Sequence, residues 1–126
     1  MQPNLTKNWQ ALEMQAERLK AQHLRELFAA DPERFKGLSF SLDDLLIDFS
    51  KEKIDPFALN ALVQLAYAAQ VEQRRDAMVR GEKINSTEHR AVLHMALRDG
   101  IPADVIVDGQ DVLKDVAEVR ERFLNF

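Results

Sequence analysis

The sequence predicts a mainly α-helical domain with one small β-hairpin, its helices packed round a central buried helix at about 85–98. Three observations predict it. Apolar residues recur at helical spacing through most of the chain. Between Leu38 and Ser50 the period changes to two. The stretch GEKINSTEHRAVLHMALR, from Gly81 to Arg98, carries the start and stop signals of a helix that is apolar on nearly every side.

From about Thr6 to Ala30, Trp9, Leu12, Ala16 and Leu19, then Leu24, Leu27 and Phe28, form an apolar stripe. The stripe changes phase near Gln22 and His23, so two helices with a break there are expected. Asp31-Pro32 is a start signal, with Asp31 as N-cap and Pro32 at the first helical position. The short turn that follows carries Phe35 and ends at Gly37.

In the next stretch Leu38, Phe40 and Leu42 alternate with Ser39 and Ser41, as in a half-buried strand. Asp43-Asp44 supplies a turn. Leu45, Leu46, Ile47 and Phe49 supply a second strand, with Asp48 and Ser50 leaving the apolar face. A lone hairpin is barely stable in water, so its face is expected to lie on helices or on another part of a larger protein.

Asp55-Pro56 repeats the start signal before a strongly apolar helix containing Phe57, Leu59, Leu62, Val63, Leu65 and Ala66. Val71 to Arg80 reads as a shorter, charged helix with Val71 and Met78 inward. Gly81 can take a left-handed conformation and close it. Asn85 as N-cap and Glu88 three residues on form a capping-box pattern. Ala91, Val92, Leu93, Met95, Ala96 and Leu97 then point to nearly every side of the helical wheel. A helix apolar all round must be enclosed by protein, so Val92, Leu93 and Leu97 are expected to be buried. Asp99-Gly100 and Pro102 stop it. Val105–Val107 reads as a short strand, Asp108-Gly109 as a turn, and the last helix starts near Asp111. Val112, Val116, Val119 and Phe123 share one face of it, extended by Leu113, Leu124 and Phe126. The text ends in helical pattern without a closing glycine, as a cut chain would.

At 126 residues the chain is long enough for one domain with a core, and 46% apolar with 30% charged residues is ordinary for a folded protein. A net charge of −4 argues against a nucleic-acid or anionic-membrane surface. With no cysteine, disulfides, thiol nucleophiles and cysteine-ligated metals are excluded. No apolar run reaches the length of a bilayer span. MQPNLTKNWQ has no signal-peptide core, so cytoplasmic residence is the expectation.

Reactive side chains are dense only at Glu88, His89, Arg90 and His94. The two histidines are five apart, whereas two ligands on one helix face need a step of four. His94 therefore reads as a mostly buried, hydrogen-bonded histidine and His89 as a surface one. His23, alone at a helix break, reads as structural. Asp43, Asp44 and Asp48 could suggest paired carboxylates, but a solvated hairpin turn accounts for the first two. Spacing alone marks no active site: catalytic, cofactor-binding and metal residues are all expected to be none.

The Gly81–Arg98 stretch closely resembles that of the glucose-6-phosphate isomerase (phosphoglucose isomerase) family. The family text reads GEKIN, a variable residue, TE, a variable residue, RAVLH, a variable residue, then ALR. Gly81 to Asn85, Thr87, Glu88, Arg90 to His94 and Ala96 to Arg98 all match it. Leu27-Phe28 with Asp31 and Arg34-Phe35 is similar to the family's LF…D..RF, Leu46 to Lys51 to its LVDYSK, and Val107 to Val112 to its VDGKDV. The resemblance runs from about Trp9 to the end.

It implies that residues 1–126 are the N-terminal helical segment of an enzyme several times longer. That enzyme would interconvert glucose 6-phosphate and fructose 6-phosphate through ring opening and a cis-enediol, with no metal or organic cofactor. It would be a cytoplasmic homodimer serving glycolysis and gluconeogenesis. The family's phosphate-binding loops, proton-moving glutamate and ring-opening histidine and lysine belong to later sequence, and no residue here matches them. The segment's implied partner is the remainder of the isomerase chain, its role structural and its activity alone nil. A free-standing helical interaction module is the alternative. A reading frame continuing past Phe126 separates the two.

Overall fold

The computed structural model describes residues 3–98 and 104–126. They divide into two units, Met1–Ala69 and Gln70–Phe126.

In the first unit α1 (Pro3–Lys20) gives way at Ala21–Gln22 to α2 (Leu24–Ala30), at the phase change in the apolar stripe. His23 makes the break a defined start. Its Nδ1 accepts from the Arg25 N–H at 3.1 Å, while Glu26 accepts from the His23 N–H at 2.7 Å, a reciprocal capping box. The second start differs from expectation. Asp31 accepts from the Glu33 N–H and makes a turn, and the short helix α3 (Arg34–Gly37) begins only after Glu33. Strands β1 (Ser39–Leu42) and β2 (Leu45–Asp48) then pair antiparallel, with Leu42 opposite Leu45 across the Asp43-Asp44 turn. Asp43 adopts φ +50°, the left-handed setting a two-residue hairpin turn needs. Leu42, Leu45 and Leu46 remain exposed.

α4 (Pro56–Ala68) starts where Asp55-Pro56 indicates. The Asp55 carboxylate accepts from the Ala58 N–H at 2.9 Å and from Arg18 of α1 at 2.6 Å. One carboxylate thus caps α4 and ties it to α1, against which α4 packs. Burial works against ionisation here, but the Ala58 N–H, then the Arg18 hydrogen bond and charge, outweigh it and hold the carboxyl below its ordinary 3.8. Lys53 donates to the last-turn carbonyl of Lys20 at 2.7 Å, satisfying an open end of α1. Leu19, Leu27 and Ala58, with Leu24 and Ile54 against them, form the core.

The most enclosed side chain of this unit is charged. Arg34 is 1% exposed. Its Nε donates to Ser50 O at 2.8 Å and its Nη2 to Glu52 O at 2.7 Å, while the guanidinium carbon lies 5.5 Å from the Phe28 ring centroid. A buried cation is tolerable only with such partners. The arginine thereby joins α2, α3 and the loop after β2.

The second unit contains α5 (Val71–Val79), the two-residue strands β3 (Ile106–Val107) and β4 (Gln110–Asp111), and α6 (Val112–Leu124). Asp108-Gly109 makes the β3–β4 turn. Asp111 caps α6 by accepting from the Leu113 and Lys114 N–H groups. The class is therefore mainly α with a small hairpin, as the periodicity predicts, and a second, shorter strand pair accompanies it.

The central buried helix at 85–98 is not formed. Asn85 accepts from the Thr87 and Glu88 N–H groups as an N-cap would, but Asn85 and Arg90 then exchange backbone hydrogen bonds at 3.2 and 3.3 Å and close a loop. His89, at φ +53°, lies outside the helical region. Beyond it, residues 94–97 make turns, with Ala96 bonded to Leu93 O and Arg98 to Met95 O. Val92 and Leu93 are half-buried and Leu97 is 69% exposed. The physical reason is enclosure. A segment apolar all round gains from helix formation only when walls surround it, and nucleating an unsupported helix is costly. Among the described residues of the second unit, α6 faces one side of this segment across an open groove. The predicted stop at Asp99-Gly100 and Pro102 lies outside the described residues.

Asp55→Ala should lower the unfolding free energy at pH 7 by about 1–2 kcal/mol, read from urea midpoints. Because the folded carboxyl sits below its unfolded value, its contribution is complete above about pH 4 and fades as pH falls through the folded value. The gap between the two proteins should therefore narrow towards pH 2, and a constant gap would show that the carboxylate charge is not engaged. Arg34→Ala should cost about 3 kcal/mol by orphaning two carbonyls. Arg34→Lys, lacking the planar fork, should recover less than half of that in the same titration.

Candidate functional site

Gly81–Arg98 is the stretch with the densest chemistry, and its geometry is set locally. α5 ends at Arg80, and Gly81 turns the chain at φ +77°. A side chain there would meet the Val105 Cγ1 at 2.7 Å, so the turn needs both the glycine's left-handed freedom and its lack of a Cβ. Lys83 reaches Asp108, in the β3–β4 turn, at 2.7 Å. Glu88 accepts from Asn85 Nδ2 at 3.3 Å. His89, Arg90 and His94 are exposed. For His94 this corrects the expectation of a mostly buried residue: it lost its burial with the helix that was to carry it.

The other sequence candidates each have a local setting of their own. Asp43 and Asp44 are exposed in the hairpin turn. Asp48 is held below its ordinary value by the Ser50 hydroxyl and then the Ser50 N–H, so it stays a carboxylate and is a weak proton acceptor. Glu82 accepts from Arg80 at 2.9 Å on the surface. His23 is a helix cap. Among the described residues no group of three or more histidine or acidic side chains could hold a metal ion, and no helix is long and apolar enough to cross a membrane.

Two features escaped the sequence reading. One is the buried Arg34, whose polar partners are backbone carbonyls and leave no trace in the text. The other is an open apolar groove of about 680 Å³ in the second unit, between α6 and the turns at 93–97. The Val112–Val116–Val119–Phe123 stripe signals its floor.

These elements constitute capped helices, turns and an apolar groove, without the convergent polar groups of a catalytic pocket. The family model for phosphoglucose isomerase matches residues 48–126. Glucose-6-phosphate isomerase 1 of Rhodococcus jostii is 49% identical over 121 residues, which are 96% of this chain and 22% of that protein. The glucose-6-phosphate isomerases of Deinococcus deserti and Deinococcus radiodurans are 50% and 51% identical over 121 and 118 residues, again 22% of each protein. The chain belongs to the phosphoglucose isomerase family. It spans about a fifth of the length of the curated relatives it matches.

Two glycines of the matching region separate steric contact from backbone strain. Gly109, at φ +81°, has open space where a Cβ would stand, so Gly109→Ala should cost about 1 kcal/mol from the left-handed backbone alone. Gly81→Ala adds the clash with Val105 and should cost at least 1 kcal/mol more, with faster hydrogen exchange at 105–107. Equal costs would show that Val105 gives way freely.

Proposed function

We propose that this chain is the N-terminal part of a glucose-6-phosphate isomerase and that its own role there is structural. The observation that carries the reading is continuous identity near 50% across 96% of the chain to enzymes of that name. The complete enzyme would open the sugar ring and move a proton between adjacent carbons through a cis-enediol, using a carboxylate base. It would act in the cytoplasm as a homodimer, in glycolysis and gluconeogenesis.

Such a reaction needs a phosphate anchor, a base beside the reacting carbons and an acid–base group at the ring oxygen. The carboxylates here have other positions and partners. Asp43 and Asp44 stand in a solvated turn, Asp48 is held by Ser50, Glu82 pairs with Arg80, and Glu88 bonds to Asn85. Glycines 37, 81 and 109 lie apart and supply no amide cradle for a phosphate. Without an anchor the substrate is not positioned for proton transfer. The exposed groove along α6 is the one observation that favours a free-standing interaction module instead, and a reading frame continuing past Phe126 would decide against that.

The 126-residue chain alone should not convert fructose 6-phosphate in a coupled glucose-6-phosphate dehydrogenase assay, nor bind it in calorimetric titration. Turnover that survives purification and scales with the chain's concentration would overturn the structural role.

A further inference from the structure

Apolar area is left uncovered on α6 in a continuous strip. Val119 is half exposed, Phe123 is 83% exposed, and Leu124 and Phe126 continue the strip to the last residue. Leu93 and Leu97 flank the groove from the other side. The opposite face of the helix carries Lys114, Glu118 and Glu121, while Asp115, Arg120 and Arg122 border the strip. Such asymmetry is that of a helix built to be covered on one side only.

A second copy of this chain is a poor occupant. A helix of 13 residues presents a face on the order of 20 Å by 10 Å. One such face from each copy falls well short of the about 800 Å² per partner that stable association buries. A covalently connected partner escapes that requirement, because its effective concentration is high and little association entropy is lost. With the match covering 22% of each, the curated relatives carry roughly three and a half times as much further polypeptide.

We propose that the groove formed by Leu93, Leu97, Val112, Val116, Val119 and Phe123 is the seat for the polypeptide that follows this segment in the full-length protein. The seat rests on the isomerase reading only for the existence of that polypeptide. It also supplies the missing walls for 91–98, which should become helical when the groove is filled.

The test grafts this chain in place of the matching 22% of Rhodococcus jostii glucose-6-phosphate isomerase 1. Hydrogen exchange is followed at 91–98 and 112–124 in the graft and in the 126-residue chain alone. At least tenfold slower exchange in the graft is expected at both segments. Phe123→Ser should return 112–124 most of the way to the fast rate in the graft, yet leave the isolated chain unchanged, because there the ring is already in solvent. Equal exchange in graft and isolated chain, or no effect of Phe123→Ser in the graft, overturns the proposal. So does protection of α6 in the isolated chain that rises with its concentration, which would assign the groove to a second copy. Turnover of the graft reports separately on the isomerase reading. Protection without turnover keeps the seat and counts against that reading, while turnover without protection does the reverse.

Discussion

An apolar side chain stabilises a fold only when something covers it, and this constraint governs the chain from end to end. Among the described residues, Leu19, Leu27, Leu38, Ala58 and Val105 are the buried hydrophobics, whereas the exposed large ones include seven phenylalanines and the only tryptophan. A self-sufficient domain of this length would reverse that balance. The same shortage explains the half-covered hairpin, the bare face of α6 and the unformed helix at 85–98. Each has the sequence of a buried element and lacks a wall.

Where apolar cover runs short, polar contacts define the first unit. Asp55 does two jobs with one carboxylate, capping α4 and holding Arg18 of α1. Arg34 does the same from the inside, bridging α3 to the loop after β2 through two carbonyls while resting on Phe28. These contacts are directional, so they set how the elements are placed as well as how strongly they are held. The second unit has no counterpart that is fully buried among its described residues. Its order depends on the Gly81 turn, the Asp111 cap and Val105.

Membership of an enzyme family and the local use of polar side chains among the described residues fit together once length is considered. The matching stretch is a fifth of the relatives, and its most distinctive text, Gly81–Arg98, encodes a turn, a cap and an apolar run. Glu88 and Asn85 are used on each other, and His89 and His94 are both exposed.

The sequence by itself determined the helix starts at His23, Asp55 and Asp111, the Asp43-Asp44 hairpin turn, the left-handed Gly81 and the apolar face of α6. Each depends on neighbours within a few residues, and such rules are written in the local text. Tertiary structure alone decided three things: the burial of Arg34, whose partners lie 16 and 18 residues away, the coupling of Asp55 to Arg18 across 37 residues, and the state of 85–98. For that last segment the periodicity was legible and the outcome was not. A pattern specifies which faces want cover, but whether the helix forms depends on walls supplied from elsewhere in the fold.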